Sequence, residues 1–420
     1  MDPVVRKQIC AAMEAPLKSS QRFSSRTFWI CILLFAATAI IYLDRQVMAL
    51  TAEKIIAEFR LNQQQWGKVL ATFRYSYGIV QLVGGFLVDA HGPAIVFPAA
   101  SGLWALGGFL TGLATSVAML AGCRFLLGIG EAFNWPSALK VTNSLLSPEE
   151  RPLANGIFNS GAAVGALVAP LLVTLITVYF SWRAAFVATG TLGGVWVIVW
   201  RIYTRGSAAQ LKGSPTALHD VLPAVLHILR LPEFWMLAVT GITINSVNYY
   251  LADWIPLYLK TTRGFSFAAG NILSIIVYAG ISCGNILVGL FVRSAVAKGL
   301  SVSAAKRWAL LISCVLMGSA AGAGLTPSRY LAVILLALTG MGTGAFLVIY
   351  LTLAQDLAPR HVGISSGLLG GMGNLVYGFL SPYVGMLADL HRNSLTLSLI
   401  GALPWLAFFA IFWAIPREIP

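Results

Sequence analysis

The chain has 420 residues, 58% of them hydrophobic and only 10% charged; a soluble domain carries about 25% charged residues, so a string of water-soluble domains is excluded. The net charge is +13, but the basic residues sit between apolar runs, where they set membrane topology, and nucleic acid is not an expected partner. Five cysteines, Cys10, Cys31, Cys123, Cys283 and Cys314, form no CxxC pair, and four of them read as small core residues in apolar runs.

Residues 1–26 are polar and basic and read as a cytoplasmic N-terminal tail. The apolar run that follows is too long for a cleavable signal. A spanning helix needs about 20 mostly apolar residues. That length predicts twelve spans, at 27–50, 67–89, 94–115, 117–140, 153–180, 183–203, 233–259, 269–293, 307–326, 329–353, 361–387 and 394–414. The longest polar gap, 204–232, divides them six and six. The expected units are an N-terminal six-helix bundle (27–203), a cytoplasmic linker (204–232), a C-terminal six-helix bundle (233–414) and a cytoplasmic C-terminus (415–420). With the N-terminus inside, inner segments hold about twice as many Lys and Arg as outer ones, which favours both ends in the cytoplasm.

The halves echo each other. Span two ends "GGFLVDAHG" and span eight "VGLFVRS", with Gly85 and Asp89 spaced like Gly289 and Arg293. Span five has "GAAVGALVAP" and span eleven "GNLVYGFLSP", each a Gly-rich face running into a proline, Pro170 or Pro382. Such repeats build many transporters, with substrate held at the midplane between them.

Charge inside a span costs on the order of 2.5–3.5 kcal/mol, so it marks cavities, pairs or ion paths. Asp44, Arg45, Arg74, Arg124, Glu131 and Asp253 form this set. Asp44 and Arg45 are adjacent and point about 100° apart, so they serve different neighbours. Arg45 offers a planar fork to a substrate carboxylate. Asp44 can titrate, or can form a helix-end salt bridge. Arg74, Tyr77 and Gln81 follow one another at turn spacing and offer a cation, a hydroxyl and an amide to one cavity; Tyr77 also reads as a packing aromatic. Arg124 and Glu131 are seven apart, on nearly one face and about 10 Å apart along the axis. They suit either a cavity, with Glu131 as proton carrier, or a structural ion pair with another helix. Asn159 and Asn374 lie on Gly-rich faces and bind substrate or a neighbouring helix. Tyr249, Tyr250 and Trp254 stack on a sugar ring or form an outer aromatic belt. Arg74 lies about 10 Å and Asp253 roughly 9 Å below the same outer surface, which predicts a pair across the central cavity when the outer side is closed.

"YLDRQVMAL", "GGFLVDAHG", "RFLLGIGEAFNWPSALK", "LLSPEERPLANGIFNSGAAVGALVAP" and "SWRAAFVATG" resemble the major facilitator superfamily. The likeness is closest to its anion:cation symporter branch and, within that, to bacterial hexuronate transporters. It covers essentially the whole chain and is densest from 40 to 195. The resemblance implies two six-helix bundles, alternating access and proton-driven import of sugar acids or related carboxylates. It gives proton coupling to Asp44 and Glu131, with Arg45 and Arg124 as their cations, and a substrate contact to Tyr77. It also gives Asp89 a place in a cytoplasmic charge latch. Two features depart from the family. The loop after Asp89 lacks its usual basic residues and holds Ala90, His91, Pro93 and Ala94. Arg74 and Asp253 stand where uncharged residues are expected.

Enzyme signatures are missing. His91, His219, His227, His361 and His391 fall at loops or span ends without HExxH spacing. "GLLGGMGNLVYG" follows no strand, and no Walker lysine suggests ATP-driven transport. The expectation is an all-α, multi-pass inner-membrane symporter, monomeric and free of cofactor or metal, that imports a hexuronate or other sugar acid with protons. Substrate contacts are expected from Arg45, Arg74, Tyr77, Gln81, Arg124, Asn159, Tyr249 and Asn374, and gating from Asp89, Arg74 and Asp253. The alternatives are an aromatic or dicarboxylic anion, or a membrane receptor or enzyme on this fold.

Overall fold

In lipid every backbone N–H and C=O must be satisfied within the chain, which leaves helices or closed barrels. The computed structural model describes residues 25–146, 150–207, 209–213, 218–357 and 362–414, and among them it is helical throughout, with no strand. Of the expected tails, 1–24 and 415–420 lie outside the described residues. The helices are α1 (Ser25–Phe59), α2 (Gln63–His91), α3 (Pro93–Gly112), α4 (Val117–Glu131), α5 (Asn134–Leu145), α6 (Arg151–Tyr179) and α7 (Trp182–Thr204). After a short 3-10 turn come α8 (Leu218–Leu229), α9 (Pro232–Thr261), α10 (Phe267–Ala297), α11 (Val302–Leu325), α12 (Arg329–Leu357), α13 (Val362–Asp389) and α14 (Asn393–Ala414). Several starts carry the side-chain caps that helix ends need. Asn62 and Gln65 form a capping box at α2, and Ser116, Ser181, Ser266 and Ser301 cap α4, α7, α10 and α11.

Two local features differ from expectation. The fourth span breaks after Glu131 into α4 and α5. The gap 204–232 contains α8, which bends 83° against α9. Pro170 and Pro382 lie inside α6 and α13, within the expected spans.

The helices form two groups of six, with α4 and α5 as one broken span and α8 between the groups. Packing repeats from one group to the other: α1 on α6, α3 on α7 and α2 on α4 in the first correspond to α9 on α13, α11 on α14 and α10 on α12 in the second. Among the described residues nine helical segments are long and apolar enough to cross a membrane, and the bent pair α8–α9 makes a tenth. The remaining two long helices, α2 and α13, are diluted by Gly and by polar residues, Gln, Lys and Arg in α2 and Ser and Asn in α13, and they pack on each other between the groups. A face turned to another helix need not be greasy. Lipid-type surface appears elsewhere, as on α6, where Val164, Val168, Leu171 and Leu175 share one exposed stripe.

The two groups meet at one end of the bundle. The backbone N–H groups of Gln63 and Gln64, at the start of α2, donate to the carboxylate of Asp389 at 2.8 and 2.9 Å. Lys260 of α9 donates to the Leu50 carbonyl of α1 (2.9 Å) and to Asn271 of α10 (3.1 Å). Asn271 in turn donates to Thr174 of α6 at 3.1 Å, and Tyr278 to Gln46 at 2.8 Å. A Cβ on Gly385 would stand 2.1 Å from the Gln63 carbonyl oxygen, and one on Gly67 2.5 Å from that of Ser381. Further along, Gly78 touches Gly371, and Gly367 faces Gln81. There the seam stops. Gly85 lies on the same stripe of α2 as Gly67 and Gly78, yet a Cβ on it would meet nothing within 4 Å. The bundle is thus closed at the Gln63–Asp389 end and parts toward the other.

This seam gives a direct expectation. Gly385→Ala sets a methyl against backbone that cannot yield cheaply, and overpacking typically costs about 1–3 kcal/mol. The variant should open the closed end, lengthening the distance between spin labels placed at Gln65 and Leu390. Gly85→Ala, which fills empty space, should leave that distance unchanged. Equal distances in both variants would show that the glycine contact does not hold the end shut.

Candidate functional site

Where the two groups meet at mid-depth, three guanidinium groups surround the ring of Phe73. Arg124 lies 4.6 Å, Arg74 5.4 Å and Arg45 5.5 Å from its centroid. Three carboxylates answer them. Two are paired and one is not.

Glu131 is fully buried at the break between α4 and α5, and its Oε2 accepts from Arg45 Nε at 2.5 Å. Arg45 keeps 19% exposure of its side chain and lies over Tyr77 (4.8 Å) and Tyr42 (5.1 Å). Arg124, on the same helix face as Glu131, makes no hydrogen bond to it, and the ion pair is with another helix. Arg124 is buried against Phe73, with Nε and Nη1 lacking hydrogen-bond partners.

Asp44 points away from Arg45, as the turn between neighbouring residues requires. It is 1% exposed. Its Oδ2 lies 3.8 Å from where a Cβ on Gly108 would stand, so it faces α3 inside its own group. Neither oxygen receives a hydrogen bond, and the nearby Thr189 hydroxyl donates to its own backbone at Phe186.

Arg74 and Asp253 meet across the seam between the groups. Arg74 Nη2 donates to both oxygens of Asp253, at 3.0 and 2.8 Å. The guanidinium lies 3.8 Å from the centroid of Tyr249 and 5.4 Å from that of Tyr377. Its Nη1 makes a long 3.5 Å contact with Asn374 Oδ1, and Asn374 donates to Gln81 at 3.2 Å. Arg74, Asn374 and Gln81 therefore form one polar chain between α2 and α13.

The remaining expected residues divide. Tyr77 is buried beside Arg45. Asn159 is exposed on α6, on the side of that helix opposite its apolar stripe. Tyr250 and Trp254 are 2% and 3% exposed, so they are core residues and neither a belt nor a free stacking surface. Asp89 lies apart, at the open end, where it pairs with Lys140 of α5 at 2.7 Å. Its loop has no basic residue to offer. Instead Gly92 turns at φ +81° and the chain after α7 packs over it, with Ala94 N–H donating to the Leu211 carbonyl.

Sequence reasoning missed Tyr42 and Tyr377, whose rings face the arginines, and the closed-end set of Asp389, Lys260, Asn271, Gln46 and Tyr278. Tyrosines in a span carry no signal that separates cavity from core. Asp389 followed by Leu390 and His391 looks like a helix end in water, with nothing to show that it caps a helix 326 positions away.

The family model described as Major Facilitator Superfamily matches residues 34–379. The hexuronate transporter of Escherichia coli (strain K12) is 28% identical over 404 residues, 92% of this chain and 91% of that protein. A probable galactarate/D-glucarate transporter of the same strain is 27% identical over 408 residues, 89% of this chain and 91% of that protein. Among solved structures, a bacterial homologue of the human lysosomal transporter Spinster, in an inward-facing and occupied conformation, superposes with a TM-score of 0.69. It is 19% identical, covers 93% of this chain and 92% of its own, and carries the likeness of fold.

Proposed function

The chain belongs to the major facilitator superfamily, and from that premise we propose that it is a proton-coupled symporter that imports a sugar acid by alternating access. The observation that carries the reading is the Arg45–Glu131 pair, buried at mid-depth beside the seam between the halves. The likeness to transporters named for hexuronate and for galactarate supports the substrate class. We place the chain in the bacterial inner membrane as a monomer, both ends in the cytoplasm, so that the closed end faces out.

In this reading Arg45 is shared between Glu131 and the substrate. A guanidinium held by an internal carboxylate is a poor anion receptor. Protonating Glu131 removes the competitor and frees the fork of Arg45 for a substrate carboxylate. After the anion leaves toward the cytoplasm, Arg45 returns to Glu131 and the proton is expelled. Asp44 is the second protonatable group. A bare carboxylate without a donor costs several kcal/mol when buried, and the acid form does not carry that cost. Tyr77, Gln81, Asn374 and Tyr249 line the path of the sugar hydroxyls, Arg124 adds positive potential behind Phe73, and Asn159 meets the substrate on the cytoplasmic side. Arg74 with Asp253 closes the outer side, and Asp89 with Lys140 steadies the inner end of the first half.

Purified protein in liposomes tests this. Labelled glucuronate should accumulate, chemically unchanged, when the outside is made acidic, and a protonophore should abolish the accumulation. Uptake indifferent to the proton gradient, or a chemically altered uronate, would overturn the reading.

A further inference from the structure

Arg74 has a cation's worth of binding capacity that Glu131 and Arg45 do not use. Asp253 bonds only its Nη2, with both oxygens on that one nitrogen. Its Nη1 has only the 3.5 Å contact with Asn374. The two-nitrogen face that suits a carboxylate best is therefore not taken by Asp253. Asp253 is the looser partner, with a side chain 14% exposed against 6% for Arg74, and among the described residues no other hydrogen bond holds its carboxylate. The arrangement resembles that of Arg45, where an internal carboxylate also sits on a guanidinium beside tyrosine rings.

Both guanidinium carbons lie within 5.5 Å of the Phe73 centroid, so they are at most about 11 Å apart. An extended six-carbon chain places its terminal carbons roughly 6–7 Å apart at ordinary bond lengths. With a hydrogen-bond length at each end, such a chain reaches from one arginine to the other. Tyr77 stands beside Arg45, and Tyr249 and the Asn374–Gln81 amide pair beside Arg74, groups that suit hydroxyls along the chain.

We infer that the preferred substrate carries an acid group at each end, as an aldaric acid does, with one carboxylate on Arg45 and the other on Arg74. Asp253 holds Arg74 through Nη2 alone and leaves the remaining guanidinium donors to the second carboxylate. This rests on the sugar-acid reading above and narrows it. Arg74 then serves as a specificity residue that separates diacids from monoacids of equal length.

The test compares galactarate with galactonate, six-carbon acids that differ at one terminus, as competitors of labelled galactonate uptake by the whole protein in liposomes. In the wild type, half-inhibition by galactarate should come at a concentration at least tenfold lower. In the neutral double variant Arg74→Gln/Asp253→Asn both acids should weaken, the diacid by the larger factor, so that the ratio falls to within threefold. Galactonate carried by the wild type with no preference for galactarate would overturn the inference and leave the transport reading intact. A tenfold preference that survives in the double variant would also overturn it. Should neither acid be carried or compete, the transport reading itself fails. If the double variant does not fold, Arg74→Lys, which keeps the charge and loses the fork, supplies the second measurement: the ratio should drop there too, and an unchanged ratio counts against the inference.

Discussion

Glu131→Gln is expected to abolish proton-driven accumulation while leaving exchange of substrate across the membrane. Glu131 is fully buried, and its only hydrogen bond among the described residues is the 2.5 Å contact from Arg45 Nε to Oε2; Oε1 has no partner. A glutamine keeps the shape, and its amide oxygen can still accept from Arg45. The variant therefore folds, but it can neither take up nor release a proton at this position. Arg45 is left permanently available to the anion, as in the protonated wild type. Loaded carriers can still cross, so labelled substrate should exchange with unlabelled substrate inside liposomes. Under an inward proton gradient the internal concentration should stop at the external one. Glu131→Ala is a harsher change, because removing one partner of a buried pair costs about 3–5 kcal/mol, and it should lower the yield of folded protein as well. Accumulation by Glu131→Gln at the wild-type level would remove Glu131 from the coupling mechanism and leave Asp44 as the carrier.

Much of this architecture is legible in the sequence, because lipid imposes it. Apolar length gives the spans, and the polar gap gives the division into halves. The two long helices least marked by apolarity, α2 and α13, are the ones that pack on each other, Gly67 against Ser381 and Gln81 against Asn374. Their ambiguity in sequence is a consequence of where they pack. The divergence of Asp44 from Arg45 is also legible, since it follows from helix geometry alone. The choice of partner is not. Glu131 and Arg124 share a helix face, yet the short contact is to Arg45, 86 positions away, because interhelix distance decides and sequence spacing does not hold it. Asp89 illustrates the same limit. Its own loop predicts a weaker latch or another partner, and the chain supplies Lys140 after a break in the fourth span at Ala132–Phe133, where Pro136 has no N–H for the Ala132 carbonyl four residues back; the break is legible, the pairing is not. The aromatic residues of α9 separate only in three dimensions. Tyr249 turns to Arg74, while Tyr250 and Trp254 turn into the core.

Asp253→Ala is expected to shift the protein away from the outward-closed state and slow transport, and exchanging the two charges should return part of what is lost. Arg74 and Asp253 belong to different halves and meet where the seam is shut. Removing one partner strands the other charge in a buried site, at about 3–5 kcal/mol. The state in which the halves part at this depth lets water reach the stranded group and escapes most of that cost. Since each 1.4 kcal/mol is a tenfold change in an equilibrium, the closed population relative to the open one should fall on the order of a hundredfold or more. Spin labels at Gln65 and Leu390 would report this as a longer distance in Asp253→Ala and in Arg74→Ala. The double variant Arg74→Asp/Asp253→Arg restores opposite charges across the seam and should recover the short distance in part. Recovery stays incomplete for a structural reason. Tyr249 gives its ring face to a cation at position 74 at 3.8 Å, and an aspartate there gains nothing from it. Asn374, which now offers its oxygen to Arg74, would have to offer its amide N–H to the new carboxylate. Closure and substrate binding should also come apart in this variant, because the arginine moved to α9 no longer stands where the anion arrives: the distance recovers, and affinity for a diacid does not. A label distance that stays short in both single variants would show that Asp389, Lys260 and the glycine seam hold the outer end without this pair.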